Sequence, residues 1–150
     1  MRGNSLSKEL DEAVRTLSKR NGLCTEGAIN TYRRLVVKIL QRNNKDESDE
    51  HIVTISNLRD VLYRLANQYR TLPSVEKKVM SEILELLMVT HYQNMLYTAK
   101  SMGLKDIAAK CAITLLKYPE LIPSDKAFYQ AGMACRDQGN INLSFLLLNR

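Results

Sequence analysis

Apolar residues recur every three or four positions along most of this chain, a spacing that places them on one face of an α-helix. No segment of strand length alternates between apolar and polar residues, so we predict an all-α fold. The first two helices are predicted over residues 5–21 and 25–42. The polar and acidic run 43–51 lacks periodic apolar positions. We expect it to be a loop between two subgroups, about 1–44 and 51–150, of a single helical-repeat domain.

Longer helices are predicted in the middle of the chain. An apolar stripe over 55–69 predicts a helix that ends near Thr71, because the residue before Pro73 is sterically pushed out of helical conformation. The segment 74–102 contains no glycine or proline, so it predicts either one long helix or two stacked helices. Its middle, over 83–89, is apolar at six of seven positions. That density predicts an interior helix covered on more than one face.

Glycine and proline divide the carboxyl-terminal third into short helices. Gly103 predicts the end of the long helical segment, and a short helix is predicted over 104–116. Two proline-containing turns then precede a helix that starts at Ser124 or Asp125 and ends at Gly139. These stops and starts predict consecutive antiparallel hairpins.

The last predicted helix starts at Asn140 and is unusually apolar. A helix normally finishes with a cap, a glycine or a polar tail. We therefore expect this chain to be a fragment of a longer one that continues beyond Arg150. The apolar residues that precede the end are Leu143, Phe145, Leu146, Leu147 and Leu148.

The strongest pattern is a helical hairpin that recurs after 36 residues, the separation of Gly103 and Gly139. This is close to the 34-residue period of tetratricopeptide repeats. Small residues at Gly132 and Ser144 are expected to let two antiparallel helices approach closely. In the first hairpin Leu96 replaces the small residue, which makes that unit a degenerate copy. The predicted structural repeat positions are Tyr92, Ala99, Gly103, Ala108, Phe128, Gly132, Gly139, Ser144 and Leu148.

The repeat predicts hairpins stacked as a tetratricopeptide-like α-solenoid. The pattern alone leaves an unrelated helical bundle with short loops open as the alternative. A solenoid of this kind exposes a groove that binds other proteins, so the first functional hypothesis is a protein-protein interaction scaffold.

The charge distribution gives a second hypothesis, an RNA-binding repeat of pentatricopeptide type. The net charge is +6, but each third of the chain carries only two more basic than acidic residues. Nucleic-acid binders usually concentrate their basic residues into a patch or stripe. RNA recognition would also need base-reading polar side chains at equivalent positions of successive hairpins, and the two units do not agree in that way.

Residues that could carry chemistry are few and scattered. Cys24, Cys111 and Cys135 are odd in number and lie within apolar helical patterns, which favours buried free thiols in a reducing compartment. His51 and His91 lie 40 residues apart, with no partner at metal-ligand spacing. No glycine-rich loop precedes a lysine and a serine or threonine, as phosphate binding requires. We predict no catalytic residue, no cofactor and no metal site, and thus not an enzyme.

Targeting signals are not evident in the sequence either. The amino-terminal residues lack the apolar core of a signal peptide. No apolar run approaches the roughly 18 residues of a membrane-spanning helix. We expect a protein that is neither secreted by that route nor inserted in a membrane.

Two motifs near the end of the chain support a resemblance to a known family. They are LIPSDKAFYQAG, over 121–132, and the terminal SFLLLNR. The segment 90–150 that contains them resembles the carboxyl-terminal solenoid of the intraflagellar transport protein 172 family. In that family one motif opens a hairpin and the other closes it before the chain continues. The matching residues are Pro123, Asp125, Lys126, Ala127, Phe128 and Tyr129 for the first motif, and Leu148, Asn149 and Arg150 for the second.

The resemblance implies a function in cilium and flagellum assembly. The family is a peripheral subunit of intraflagellar transport complex B, whose solenoid helps join cargo-carrying trains. Other intraflagellar transport subunits are the implied partners, without a small-molecule substrate or a nucleic acid. The implied location is the cilium or flagellum and the ciliary base, on the cytoplasmic side. Residues 1–89 share only helical character with the family, whose amino-terminal β-propellers have no counterpart in this sequence.

Overall fold

The computed structural model describes residues 26–40, 49–71 and 77–149, together with Lys8, Glu12 and Arg15. Within these residues there are helices and turns but no strand, which confirms the predicted all-α class. A 3-10 turn, Leu115–Lys117, follows the fourth helix. The helices whose bounds are described are α1 (Glu26–Leu40), α2 (Asp49–Arg70), α3 (Lys77–Ser101), α4 (Lys105–Thr114), α5 (Ser124–Gln138) and α6 (Ile141–Leu148).

The predicted bounds agree with α1 but not with the start of α2. Helix α2 begins at Asp49, inside the stretch 43–51 that was predicted to be a loop, so that prediction is wrong at its end. Acidic residues in a first turn interact favourably with the helix dipole, which explains why an acidic run can open a helix. Of the helix predicted over 5–21, only Lys8, Glu12 and Arg15 are described, and all three are helical. The rest of that helix and the division at 41–48 lie outside the described residues and stay predictions.

The chain forms two compact units, residues 1–90 and 91–150. In the first unit the buried side chains follow the helical spacing that the sequence indicates. Alternating intervals of three and four residues place the apolar residues of a helix on one face. Among the described residues of this unit, the fully buried aliphatic ones are Ile29, Val36, Ile39, Leu40, Ile55, Leu58, Leu62, Leu65, Ile83, Leu86 and Val89.

Helix α3 is a single helix of 25 residues, about 37 Å long at the usual rise of about 1.5 Å per residue. This decides between the one long helix and the two stacked helices that the sequence left open. Its apolar middle is not covered on all sides, however. Leu84 is 43% exposed and Met88 is 39% exposed. The prediction of an interior helix is therefore wrong for that face, because only one stripe of the apolar run turns toward the core.

The second unit contains the end of α3 from His91, then α4, α5 and α6. Helix α4 packs against α5, and α5 packs against α6 and the 3-10 turn. Helix α5 begins at Ser124 as predicted, although Pro123 occupies the cap position and no side chain caps the helix. None of the helices over 26–40, 49–71 and 77–149 is long and apolar enough to cross a membrane.

Candidate functional site

The turn between α3 and α4 is closed by a glycine in left-handed conformation. Gly103 has a φ of 72°, a value that glycine adopts without the steric cost that a Cβ adds. Its amide donates to the carbonyl of Lys100 at 3.2 Å, and the amide of Leu104 donates to the carbonyl of Ala99 at 2.8 Å. This pair of bonds is the Schellman motif, which satisfies the last carbonyls of a helix.

The turn between α5 and α6 repeats the same backbone bonds 36 residues later. Gly139 has a φ of 96°, and its amide donates to the carbonyl of Arg136 at 3.0 Å. The amide of Asn140 donates to the carbonyl of Cys135 at 2.9 Å. Two consecutive hairpins of the second unit therefore share one turn geometry, and the residues in equivalent places differ by 36 in number.

The second helix of each hairpin, α4 or α6, starts with the same backbone conformation, but only α6 has a side-chain cap. Leu104 precedes α4 with φ −85° and ψ 77°, and Asn140 precedes α6 with φ −84° and ψ 75°. The Asn140 side chain accepts a hydrogen bond from the amide of Leu143 at 3.3 Å, whereas Leu104 supplies no such bond. The backbone at Leu104 therefore has the conformation in which an asparagine can cap the helix, but the leucine side chain cannot accept the hydrogen bond.

We predict that Leu104→Asn stabilises the chain and that Asn140→Ala destabilises it, each by about 1 kcal/mol, the typical effect of an N-cap side chain. Urea denaturation followed by circular dichroism measures both changes. Leu104→Ala is the matched control because it removes the exposed leucine without adding a cap. An equal gain from Leu104→Ala would show that the cap is not the cause.

The hairpin of α5 and α6 is held at close distance by a glycine and a serine. The hydroxyl of Ser144 donates to the carbonyl of Gly132 at 2.8 Å, and both residues are buried. A Cβ added at Gly132 would lie 2.5 Å from Cγ of Leu148 and 2.6 Å from its Cδ2, shorter than carbon atoms tolerate. Only a residue without a side chain fits at position 132 while Leu148 keeps its place.

The first hairpin has the opposite order of sizes at the equivalent positions. Leu96 corresponds to Gly132, and Ala112 corresponds to Leu148. Both Leu96 and Ala112 are completely buried. A large residue on the first helix is thus matched with a small one on the second, and the reverse holds in the next hairpin. Leu96, which made this unit a degenerate copy in sequence, is therefore paired with a small residue at the position equivalent to Leu148.

A pair of buried glutamines joins α3 to α5 and was missed from the sequence. Nε2 of Gln93 donates to Oε1 of Gln130 at 2.9 Å, and Nε2 of Gln130 donates to Oε1 of Gln93 at 3.4 Å. Both residues are almost completely removed from solvent. A signal was present, since Gln93 follows Leu86 and Val89 on a buried stripe, but a polar residue in such a stripe does not reveal its partner.

The remaining predicted repeat positions lie in or beside this packing. Ala99 on α3 and Ala108 on α4 are buried, and Phe128 on α5 is half-buried. Tyr92 on α3 is half-buried, with its ring centroid 5.9 Å from that of His91. The second unit therefore brings all nine positions into two adjoining hairpins. Their role as repeat positions stays a prediction.

The two described cysteines have an environment that suppresses thiol chemistry. Cys111 and Cys135 are free and buried, and burial raises the pKa of both thiols above the usual value. A thiol with a raised pKa stays protonated near neutral pH and is a poor nucleophile. Among the described residues, no three histidine, cysteine, aspartate or glutamate side chains are placed to hold a metal ion. The side chains of Cys24 and His51 lie outside them.

Within the part of the chain that the structure describes, the clearest candidate binding surface is apolar and lies on α6. Ile141, Phe145 and Leu146 are well exposed, and Leu148 is partly exposed. Helix α6 contains no charged residue. The sequence showed that this helix is apolar but not which of its faces is left open. An exposed apolar surface of this kind usually marks a site of packing or association.

No protein-family model matches the chain. The similar proteins reported below all have the same name, apart from the word homolog. The chain is 35% identical over 122 residues to "Intraflagellar transport protein 172 homolog" of Danio rerio, covering 81% of this chain and 7% of that protein. It is 38% identical over 107 residues to "Intraflagellar transport protein 172" of Chlamydomonas reinhardtii, covering 69% and 6%. For the Homo sapiens homologue the identity is 34% over 96 residues, covering 63% and 6%. The chain spans only 6–7% of the length of these relatives. Residues 90–150 number only 61, so a match over 122 residues also includes part of 1–89, and the prediction that residues 1–89 share only helical character with the family is wrong.

Proposed function

This chain belongs to the intraflagellar transport protein 172 family, and from that premise we propose that it is a non-catalytic scaffold segment of an intraflagellar transport subunit. Its hairpins stack as part of a tetratricopeptide-like solenoid in the carboxyl-terminal region of the full-length protein. Its activity is the binding of other proteins during cilium and flagellum assembly.

The observation that best supports this proposal is the repeated turn of the second unit. Gly103 and Gly139 close two hairpins with the same hydrogen bonds at a 36-residue interval. A helical repeat buries its apolar faces by stacking neighbouring hairpins, and the extended surface of the stack is then available to partners. The buried thiols fit a structural role better than a catalytic one, because burial raises the pKa of both.

The proposed partners are other intraflagellar transport subunits, with this protein as a peripheral member of complex B. The proposed location is the cilium or flagellum and the ciliary base, on the cytoplasmic side. These details rest on the family and on the resemblance of residues 121–132 and the terminal motif. The proposal includes neither a small-molecule substrate nor a nucleic acid.

Affinity purification of the full-length protein from ciliated cells tests this function. We expect mass spectrometry to identify other intraflagellar transport subunits with the unmodified protein. A matched variant is Gly132→Leu, which is expected to disrupt the second unit, and a compensated variant adds Leu148→Ala. Subunits that are recruited through this unit should be lost with the first variant and recovered with the second.

The alternative, an RNA-binding repeat, makes a different prediction for the same purification. Recovery of ribonucleoproteins alone, with an RNA affinity that falls steeply as salt is raised, would overturn the scaffold proposal. Recovery of transport subunits that is unchanged by ribonuclease treatment would support it.

A further inference from the structure

One buried residue of α5 is much larger than the others. The helix buries six residues, and five of them are alanine, glycine or cysteine, namely Ala127, Ala131, Gly132, Ala134 and Cys135. The sixth is Gln130, which is 1% exposed and shares two hydrogen bonds with Gln93 of α3. Gln130 is therefore the only long side chain among the buried residues of this helix.

A face of small side chains does not by itself define the register of a helix, which is its position along the axis of a neighbouring helix. The ridges that alanine and glycine form are shallow, so a slide of one turn changes few van der Waals contacts. Helix α4, which packs against α5, also buries only small residues, namely Ala108, Ala109, Cys111 and Ala112. The small residues therefore leave the register of α5 weakly defined.

The glutamine pair distinguishes the observed register from its nearest alternatives. Ala127 lies three residues before Gln130 and Ala134 four residues after it, so all three share one face of α5. A slide of α5 by one turn, about 5.4 Å, would place one of these alanines opposite Gln93. Gln93 is completely buried, and its amide would lose both hydrogen bonds to Gln130 without access to water. An unpaired buried amide disfavours the shifted register.

We propose that the pair of Gln93 and Gln130 fixes the register of α5 against α3, and with it the position of the second hairpin on the first. Helix α6 follows α5, because the hydrogen bond from Ser144 to the Gly132 carbonyl holds the two together. The small residues supply the burial, while the pair selects one register among several that bury a similar area. A single buried asparagine selects register in coiled coils in the same way. This role does not depend on the proposed binding of other proteins.

Electron spin resonance distances between α3 and α5 test this role. Ser101 and Tyr129 are exposed, so each can be replaced by an unnatural ketone-bearing residue that carries a spin label without involving the cysteines. We expect one narrow distance when the chain is otherwise unchanged. In the variant Gln93→Leu/Gln130→Leu we expect additional distances, shifted by up to about 5.4 Å, with the helix content in circular dichroism unchanged. A single distance identical to that of the original chain would overturn the proposal.

A variant with the amide moved along α5 gives a second test, which stays decisive if the double leucine variant fails to fold. Gln130→Ala/Ala134→Gln shifts the glutamine by four residues, about 6 Å along the helix axis. We expect a single new distance between the spin labels, because α5 slides to keep Gln93 paired. Gln130→Ala/Asp137→Gln is the matched control. It adds the same residue at an exposed position, where a glutamine cannot reach Gln93, so the new distance should not appear.

The connection between α4 and α5 is the competing determinant of register. Leu121 and Ile122 are buried in it, shortly before the helix begins. If the connection alone held α5 in place, the moved glutamine would leave the distance between the labels at its original value, and that result would overturn the proposal. Because the distances are measured on the chain without partners, the outcome is independent of whether affinity purification recovers transport subunits.

Discussion

Replacing Gly132 with leucine is expected to lower the free energy of unfolding by about 2 kcal/mol, within the range of about 1–3 kcal/mol typical of overpacked cores. The new side chain would start where a Cβ already lies 2.5 Å from Cγ of Leu148. Either the partly exposed Leu148 side chain must leave its place or α6 must move away from α5, and movement of α6 breaks the hydrogen bond from Ser144 to the Gly132 carbonyl. Leucine favours a helix over glycine by roughly 0.8 kcal/mol, which offsets only part of the cost.

The compensating variant separates overpacking from a general loss of stability. Adding Leu148→Ala to Gly132→Leu recreates the size order of the first hairpin, where Leu96 and Ala112 are both buried. We expect the double variant to recover at least half of the lost stability. A double-mutant cycle measured by urea denaturation should give a coupling of about 1 kcal/mol or more. Additive effects would contradict a direct steric conflict between positions 132 and 148.

Replacing Gln130 with leucine is expected to cost about 1–3 kcal/mol, the usual penalty for leaving a buried polar group without its partner. The amide of Gln93 would lose both of its hydrogen bonds to Gln130 while it stays buried. The effect should appear as a lower urea midpoint with an unchanged denaturant slope.

Replacing both glutamines with leucine is expected to be much less harmful than replacing one. No amide then remains unpaired, and the two leucines fill a similar volume. Gln138→Leu is the matched control, because that exposed amide donates to Asp106 at 3.0 Å on the surface. We expect a change of less than about 0.5 kcal/mol from the control. A double variant as unstable as Gln130→Leu would show that the amide pair is not the source of the penalty.

The positions of helices could be predicted well where the chain carries strong local signals. Gly103 and Gly139 mark the ends of α3 and α5, and the absence of glycine and proline before Gly103 allows one uninterrupted helix. The acidic run before α2 was misread because charged residues occur both in loops and in first turns. Its sequence alone does not distinguish the two, since both are solvated.

The hydrogen-bond partners of buried polar residues and the exposure of apolar residues were much less predictable. Periodicity assigns a residue to a face of its own helix but does not say whether another helix covers that face. The sequence therefore showed that 83–89 is apolar but not that Leu84 is exposed. It also could not pair Gln93 with Gln130, because that contact joins residues 37 positions apart on different helices. Contacts of this kind depend on how helices are arranged around one another.

The sequence by itself determined the helical class and most of the helix bounds, because dihedral preferences and apolar spacing act within a few residues of the chain. It also indicated the family, through the two motifs near the end of the chain. Only the tertiary structure decided that the Gly132 carbonyl accepts from Ser144, that two glutamines satisfy each other, and that Phe145 is open where Ala109 is covered. The physical reason is that close packing and hydrogen-bond satisfaction are properties of pairs of helices, and their partners are not encoded in the local pattern of either one.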